Sequence, residues 1–199
     1  MKPKTSPYTF TLKPLLDITM SVILIIVCSW LGILIACAYA ITLQFPILFS
    51  QQRLGKNGKV FRMWKFRTLS VDENKDLQQR RFILGDVLRK TSLDELPQLW
   101  NVLNGEMSLV GPRPLPVEYD QLFSEEQRKR LEVKPGITGW AQVHGRHSIN
   151  WKEKLKLDIW YVNNISFLID MRVLFKTVVL LLSFKKDQSL EEEKFTGTN

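Results

Sequence analysis

Proline, charge and sulfur are each scarce where their scarcity narrows the possibilities. From Leu15 to Phe45 there is no proline, and from Ile18 to Gln52 no residue is charged. A stretch with neither is free to form one uninterrupted apolar helix. The chain has two cysteines, Cys28 and Cys37, both inside that stretch. That excludes a disulfide framework and signals no cysteine zinc site. The two histidines, His144 and His147, are three positions apart with no third ligand evident, so both read as solvated loop residues.

Positive charge, by contrast, is abundant. The 199 residues carry a net charge of +8 and are 45% hydrophobic, which suits one domain plus a membrane element. Such an excess calls for an anionic partner: nucleic acid, anionic lipid or a phosphorylated substrate. Between Arg53 and Lys90 eleven Lys/Arg face four acids, so nearly the whole excess follows the apolar run. Cations placed there fit a lipid-headgroup surface at least as well as nucleic acid. Within Val60–Arg67, the cations Arg62, Lys65 and Arg67 interleave with Phe61, Trp64 and Phe66. That pattern serves single-stranded nucleic acid or a headgroup anchor, and the apolar run next door favours the anchor.

The segment Ile18–Leu43, as one helix, is ~39 Å long and exceeds a hydrocarbon core of about 30 Å. A single-pass span satisfies this length. The flanks favour a different topology, because Lys2, Lys4 and Lys13 precede the run and Arg53 to Arg67 follow it. One cationic flank marks a cytoplasmic side, and here both do. A re-entrant helix that dips into the inner leaflet and returns keeps both flanks in the cytoplasm; Ser29–Gly32 is the weak point for its bend. Leu34-Ile35-Ala36-Cys37 resembles a lipoprotein cleavage box, but the apolar stretch before it is longer than a signal core, and we read it as uncleaved. The expected division is an N-terminal interfacial segment 1–17, a membrane helix and exit segment 18–52, a cytosolic domain 53–184 and a polar, mobile tail 185–199.

In the soluble part, Gly55–Lys59 is a turn between two β-prone runs, which predicts a hairpin. A short helix is expected over 81–88. Thr91–Pro114 carries the chemistry-bearing residues. Pro97 is tolerated only in a first helical turn, so Asp94 is expected as N-cap with Leu96, Leu99, Trp100 and Leu103 on one apolar face and Gly105 ending the helix. Asp94 and Glu95 then read as a cap and a first-turn acid, or as a functional acidic pair; Arg89-Lys90 beside them is expected to hold the carboxylate ionised. Arg113, fixed between Pro112 and Pro114, presents a guanidinium suited to bidentate phosphate binding, or to pairing with a buried acid. Ser124-Glu125-Glu126-Gln127 is a capping box. Lys134–Arg146 has a Pro-Gly turn and three glycines that let backbone N–H groups approach a ligand. Trp151–Asn163 puts Trp151, Leu155, Ile159 and Val162 on one helical face. In the apolar segment 165–184, Asp170, Arg172 and Lys176 argue against a second span. For these two helices an in-plane amphipathic role and packing on the protein's own core both remain open.

With those residues laid out, QQRLGKNGKVFRMWKFRTL, LRKTSLDELPQLWNVLNGEMSLVGPRPLPVEY, VKPGITGWAQVHGR and NISFLIDMRVLFKT together resemble the monotopic phosphoglycosyl transferases. These are the bacterial sugar transferase family, here in its small, PglC-like form, and the resemblance runs from about Leu12 to Phe184. It implies a mixed, mainly α fold: an N-terminal re-entrant membrane helix, a small β-hairpin, and amphipathic interfacial helices around a cytosolic catalytic domain at the bacterial inner membrane. It further implies transfer of a sugar 1-phosphate from a UDP-sugar to polyprenyl (undecaprenyl) phosphate with Mg²⁺, releasing UMP, as the first membrane step of glycoconjugate biosynthesis. By the same resemblance Asp94 is the nucleophile, and Glu95 shares the metal with it. Arg113, Arg89 and Arg146 contact phosphate or nucleotide, Lys65 and Arg67 match a basic family motif, and Gln142 belongs to the Gly-rich ligand loop. Downstream glycosyltransferases are implied partners, and nucleic acid is not. Two positions depart from the family pattern: Ser29-Trp30 replaces Ser-Pro in the membrane helix, and His144-Gly145-Arg146 replaces Asn-Gly-Arg. A non-catalytic basic membrane adaptor and a glycosyltransferase releasing UDP are the competing classes. The acidic pair beside a proline-fixed arginine speaks against the first, and the identity of the nucleotide product separates the second.

Overall fold

The proline-free stretch forms one continuous helix, α1 (Lys13–Thr42), preceded by a π-helical turn at Tyr8–Leu12. These assignments come from a computed structural model that describes residues 6–72, 74–145, 149–183 and 195–197. Ser29–Gly32, the expected weak point, stays helical. Without proline no backbone bond is lost there, and the Ser29 hydroxyl donates to the Ile26 carbonyl at 2.8 Å. At ~1.5 Å per residue the helix is about 45 Å long.

Both ends of α1 are docked on the rest of the chain. Near its start, Lys13 Nζ donates to the Val110 carbonyl at 2.9 Å and to Asp170 Oδ2 at 2.6 Å, while Asp17 Oδ1 accepts from the Leu109 N–H at 3.0 Å. Near its end, Ile35 and Tyr39 are buried with Leu88, and the Tyr39 hydroxyl donates to the Arg67 carbonyl. Between them, Leu24 and Ile25 pack on a core of Leu99, Leu109, Val110, Tyr161 and Val173. The opposite face is bare: Ile26, Trp30, Ile33 and Ile41 are all exposed.

The predicted hairpin is present as antiparallel strands β1 (Leu48–Leu54) and β2 (Val60–Phe66), paired from Leu48↔Phe66 to Leu54↔Val60. Asn57 and Gly58 turn the chain with φ of 57° and 76°, a left-handed conformation in which asparagine and glycine cost least. Helix α2 (Ile83–Thr91) lies slightly beyond its expected position, with Phe82 extended before it.

The helix after the acidic pair differs from expectation. It is α3 (Gln98–Leu103), six residues long, with Pro97 at the N-cap. Asp94 caps nothing; it lies in a 3₁₀ turn, Leu93–Glu95, entered through Ser92 at φ 58°. Pro97 remains free of any helical N–H requirement, but as the N-cap itself, three positions earlier in the helix than expected. The buried face is consequently Gln98, Leu99, Asn101 and Val102, and Trp100 is exposed. Asn101 joins α3 to β2: its Nδ2 donates to the Arg62 carbonyl at 2.8 Å and to Glu106 Oε2 at 2.7 Å, and its Oδ1 accepts from Trp64 N–H at 3.1 Å. Gly105, at φ 74°, ends the helix as expected.

Two short parallel strands, β3 (Ser108–Val110) and β4 (Gly136–Thr138), were not foreseen. They bring the Gly111–Pro116 loop beside the Gly-rich segment. The approach is so close that a Cβ on Gly136 would lie 2.1 Å from the Gly111 nitrogen, so only glycine fits there. The capping box is present at the start of α4 (Glu125–Arg128). Part of the Gly-rich segment is helical, as α5 (Trp140–His144).

Helices α6 (Trp151–Asn164) and α7 (Phe167–Leu182) complete the chain's main body. The buried face of α6 is Leu155, Asp158, Tyr161 and Val162, rotated from the one expected, because Asp158 and Tyr161 have inward partners. Asp170 is buried rather than an interruption of an outer face: Tyr161 Oη donates to its Oδ1 at 2.7 Å, and Lys13 pairs with its other oxygen. A buried carboxylate is tolerated only when paired in this way. The outer face of α7, including Leu168, Phe175 and Leu182, is exposed. Within the segment expected as a polar tail, Phe195 is buried against Leu54, Leu115, Phe123, Leu131 and Leu155.

Candidate active site

Three elements converge on the acidic pair. Ser92, in a left-handed conformation, ends α2 and turns the chain so that Asp94 points inward, 8% exposed. Strand β2 supplies Lys65, whose Nζ lies 2.6 Å from Glu95 Oε1 and 3.8 Å from Asp94 Oδ2. The Gly111–Pro116 loop supplies Arg113, with Nη1 3.7 Å from Glu95 Oε1. Asp94, Glu95, Lys65 and Arg113, named from sequence, are therefore brought together.

The neighbouring cations do not depress the Asp94 carboxyl below its ordinary value. Burial pushes its carboxyl up to about 6 against the pull of Lys65, and the charge on Glu95 adds to the rise. Desolvation penalises the charged form, and here it outweighs the neighbouring cations. Arg89 Nε donates to Thr68 Oγ1 at 2.6 Å, and its charge also bears on Asp94.

The remaining site residues lie further out. Arg67 donates from Nε to the Pro46 carbonyl at 3.0 Å and sits over the Phe49 ring, at the margin of the cleft. Gln142 borders the cleft; its Nε2 donates to the Ile137 carbonyl at 3.3 Å, and its buried Oε1 has no partner among the described residues. Arg146 and His147 lie outside the described residues. His144 lies on α5, with Nδ1 2.8 Å from the Trp140 carbonyl and Nε2 2.8 Å from Lys176 Nζ.

The cleft around these groups is about 900 Å³ and has two kinds of wall. One is polar, with Lys65, Arg89, Asp94, Glu95 and Arg113. The other is apolar, with Leu24 and Cys28 of α1 and Leu174 and Leu180 of α7. Such a space suits a ligand with a charged head and an apolar remainder.

Sequence reasoning missed the groups that hold the arginine loop. Arg130, 3% exposed, pairs with the buried Asp158 through Nε at 3.1 Å and Nη2 at 2.8 Å. The same Nη2 donates to the Arg113 carbonyl at 2.6 Å. Asp158 was hidden in the sequence as one more charge in a mixed helix; its position beside Leu155 and Val162 on the buried face was the available signal.

An acidic pair with Asp94 buried, under converging cations in a cleft also lined by apolar residues, defines a site for an amphiphilic anion. The chain belongs to the bacterial sugar transferase family, whose profile matches residues 8–184. It is 42% identical over 195 residues to the uncharacterized sugar transferase EpsL of Bacillus subtilis, covering 94% of this chain and 96% of that protein. It is 40% identical to a UDP-glucose:undecaprenyl-phosphate glucose-1-phosphate transferase of Klebsiella pneumoniae and 35% identical to an undecaprenyl-phosphate galactose phosphotransferase of Salmonella typhimurium. Those matches cover 83% and 86% of this chain but only 39% and 40% of the two longer proteins.

Proposed function

We propose that the protein transfers a sugar 1-phosphate from a UDP-sugar to polyprenyl phosphate, through a covalent phosphosugar on Asp94, with UMP as the other product. The observation that carries this reading is the buried Asp94 carboxylate, with Lys65 and Arg113 around its partner Glu95, in one cleft that is also lined by apolar residues of α1 and α7. The names of the two longer relatives support the lipid acceptor and the phosphotransfer chemistry.

In the first half-reaction an Asp94 oxygen attacks the phosphorus that bears the sugar. A P–O bond forms, the bond to the bridging oxygen breaks, and UMP leaves with that oxygen. Lys65 and Arg113 offset the repulsion between carboxylate and diphosphate. In the second, an oxygen of the lipid phosphate attacks the same phosphorus and frees Asp94. Splitting the transfer lets both substrates use one site in turn. The apolar wall of α1 and α7 accommodates the start of the prenyl chain and keeps water from the acyl phosphate.

Among the described residues no cluster of three or more His, Cys, Asp or Glu is present. Two adjacent carboxylates are nonetheless a fitting donor set for Mg²⁺, which is commonly held by one or two carboxylates together with substrate phosphates. Asp94 and Glu95 would hold it. Bound there, Mg²⁺ supplies charge neutralisation at the diphosphate.

The docking of both ends of α1 on one domain supports a helix that lies along the domain with both flanks on the cytoplasmic side of the inner membrane. A spanning helix would carry one end about 30 Å away from the domain. Ser6→Cys and Gln44→Cys, each alone in a Cys28→Ser/Cys37→Ser background, should both be protected from a membrane-impermeant thiol reagent in intact cells. Labelling of position 6 alone would indicate a span.

The purified protein, given a UDP-sugar, polyprenyl phosphate and Mg²⁺, should release UMP. Release of UDP instead would assign it to the simple glycosyltransferases.

A further inference from the structure

Between β1, α3 and the Gly111–Pro116 loop lies a small compartment of about 20 Å³, walled by Arg53, Lys65, Glu95, Gln98 and Arg113. It has room for about one oxygen-sized atom. Two donors in this wall have no hydrogen-bond partner among the described residues: Arg53 Nε and Gln98 Nε2. Gln98 is 2% exposed, so its empty donor is shut away from solvent as well.

Arg53 is unusual in its own right. Its other nitrogens donate to neutral oxygens, Nη2 to Gln51 Oε1 at 2.6 Å and Nη1 to the Pro114 carbonyl at 3.5 Å. Burial, and then the like charge of Arg113, bring its guanidinium down to about 10. Strand β1 fixes the approach, since the Leu54 N–H donates to the Leu115 carbonyl at 3.0 Å and Arg53 bridges to Pro116. The wall therefore holds three cations to one carboxylate, and that carboxylate, Glu95, is already engaged by Lys65 at 2.6 Å. Two guanidiniums brought together, with buried donors left empty, are unfavourable until an anion lies between them.

We infer that this compartment seats an oxygen of the phosphate that departs as nucleoside monophosphate, and that Arg53 and Gln98 are further binding residues for it. The inference rests on the sugar-phosphate transfer reading. Glu95 borders the compartment, whereas Asp94 borders only the larger cleft. The phosphorus attacked by Asp94 must lie against Asp94, whereas the compartment adjoins Glu95, Lys65 and Arg113 without Asp94, which suits the neighbouring phosphate and not the attacked one. As the bond from that phosphorus to the bridging oxygen breaks, the oxygen keeps the electron pair and the departing phosphate gains negative charge. Donors left empty beforehand bind this group more strongly as the charge develops.

The test is equilibrium binding by titration calorimetry, with the full chain in detergent and Mg²⁺-free buffer, using UMP and uridine as probes. Wild type should bind UMP more tightly than uridine. Arg53→Lys and Gln98→Met should each weaken UMP by roughly tenfold and leave uridine unchanged, because each removes a donor to a charged oxygen. Gln98→Met should also unfold at the wild-type temperature or above, since it removes a buried orphan donor. Equal binding of UMP and uridine by wild type would overturn the inference. So would unchanged UMP affinity in folded Gln98→Met, which carries the test alone should Arg53→Lys fail to fold. If the UMP preference is present and donor-dependent but no UDP-sugar yields UMP, the phosphate subsite stands and the transfer reading falls.

Discussion

Arg130 donates to the carbonyl of Arg113 at 2.6 Å while Asp158 holds its guanidinium, so a buried ion pair fixes the backbone of the arginine that faces the acidic dyad. Both members of the pair are nearly inaccessible to solvent. Breaking one side leaves the other charged and unpaired, and costs about 3–5 kcal/mol. Asp158→Asn should therefore lower the melting temperature sharply. Arg130→Met/Asp158→Leu should recover most of that stability without recovering UMP release, because the Arg113 carbonyl still lacks its donor. A double variant with full turnover would limit the pair to a stabilising role. Melting curves and a UMP assay on the same preparations decide this.

Asp94→Asn keeps shape and removes the proposed nucleophile. It should fold at least as well as wild type, since the buried carboxyl is already raised to about 6 by desolvation. UMP release should fall by several orders of magnitude, and no phosphosugar adduct should be seen by intact mass. Persistent turnover would transfer the nucleophilic role elsewhere.

Asn101 makes three hydrogen bonds that tie α3 to β2. Asn101→Leu has similar volume but leaves the Trp64 N–H and Arg62 carbonyl unsatisfied, at about 1–3 kcal/mol for each buried group. Since β2 carries Lys65 and α3 follows the dyad, activity should fall along with stability. A denaturant titration unchanged from wild type would show that water replaces the amide.

The pairing of Gly111 and Gly136 admits no side chain. Gly136→Ala should force β3 and β4 apart, displace Arg113, and cost about 1–3 kcal/mol, as overpacking does. Gly58→Ala also meets strain, from its φ of 76°, but on an open turn remote from the cleft. It should cost about 1 kcal/mol with turnover retained. Comparable losses of activity in both variants would argue against a positional role for the glycine pair.

What sequence made legible was local. The hairpin follows from a Gly-Lys-Asn-Gly turn between β-prone runs, and the α4 capping box from four consecutive residues. The proximity of Asp94 and Glu95 is guaranteed by adjacency. The convergence of Lys65 and Arg113 on them depended on the resemblance to a family, since 30 and 18 positions separate them from Glu95 and no periodicity links them. Asp94 was misread as a cap because Pro97 fits either end of a short register; the left-handed Ser92, which rotates the carboxylate inward, has no strong sequence signature. The β3–β4 pairing, Arg130–Asp158 and the burial of Asp170 are long-range matches between segments that look ordinary alone. Phe195 was hidden by its polar neighbours, although one aromatic ring is enough to fill the space beside Tyr119 and Trp151.

The two-ended docking of α1 makes the hydrophobic helix a structural member of the domain and not a detachable tether. Cutting it away to obtain a water-soluble enzyme would strip Tyr39 from over Leu88 and Phe66, and Asp17 from the strand that leads into the arginine loop. What remained would have an opened core and a misplaced guanidinium. The apolar helix and the arrangement of the site thus rest on the same set of packing contacts, so removing the first disturbs the second.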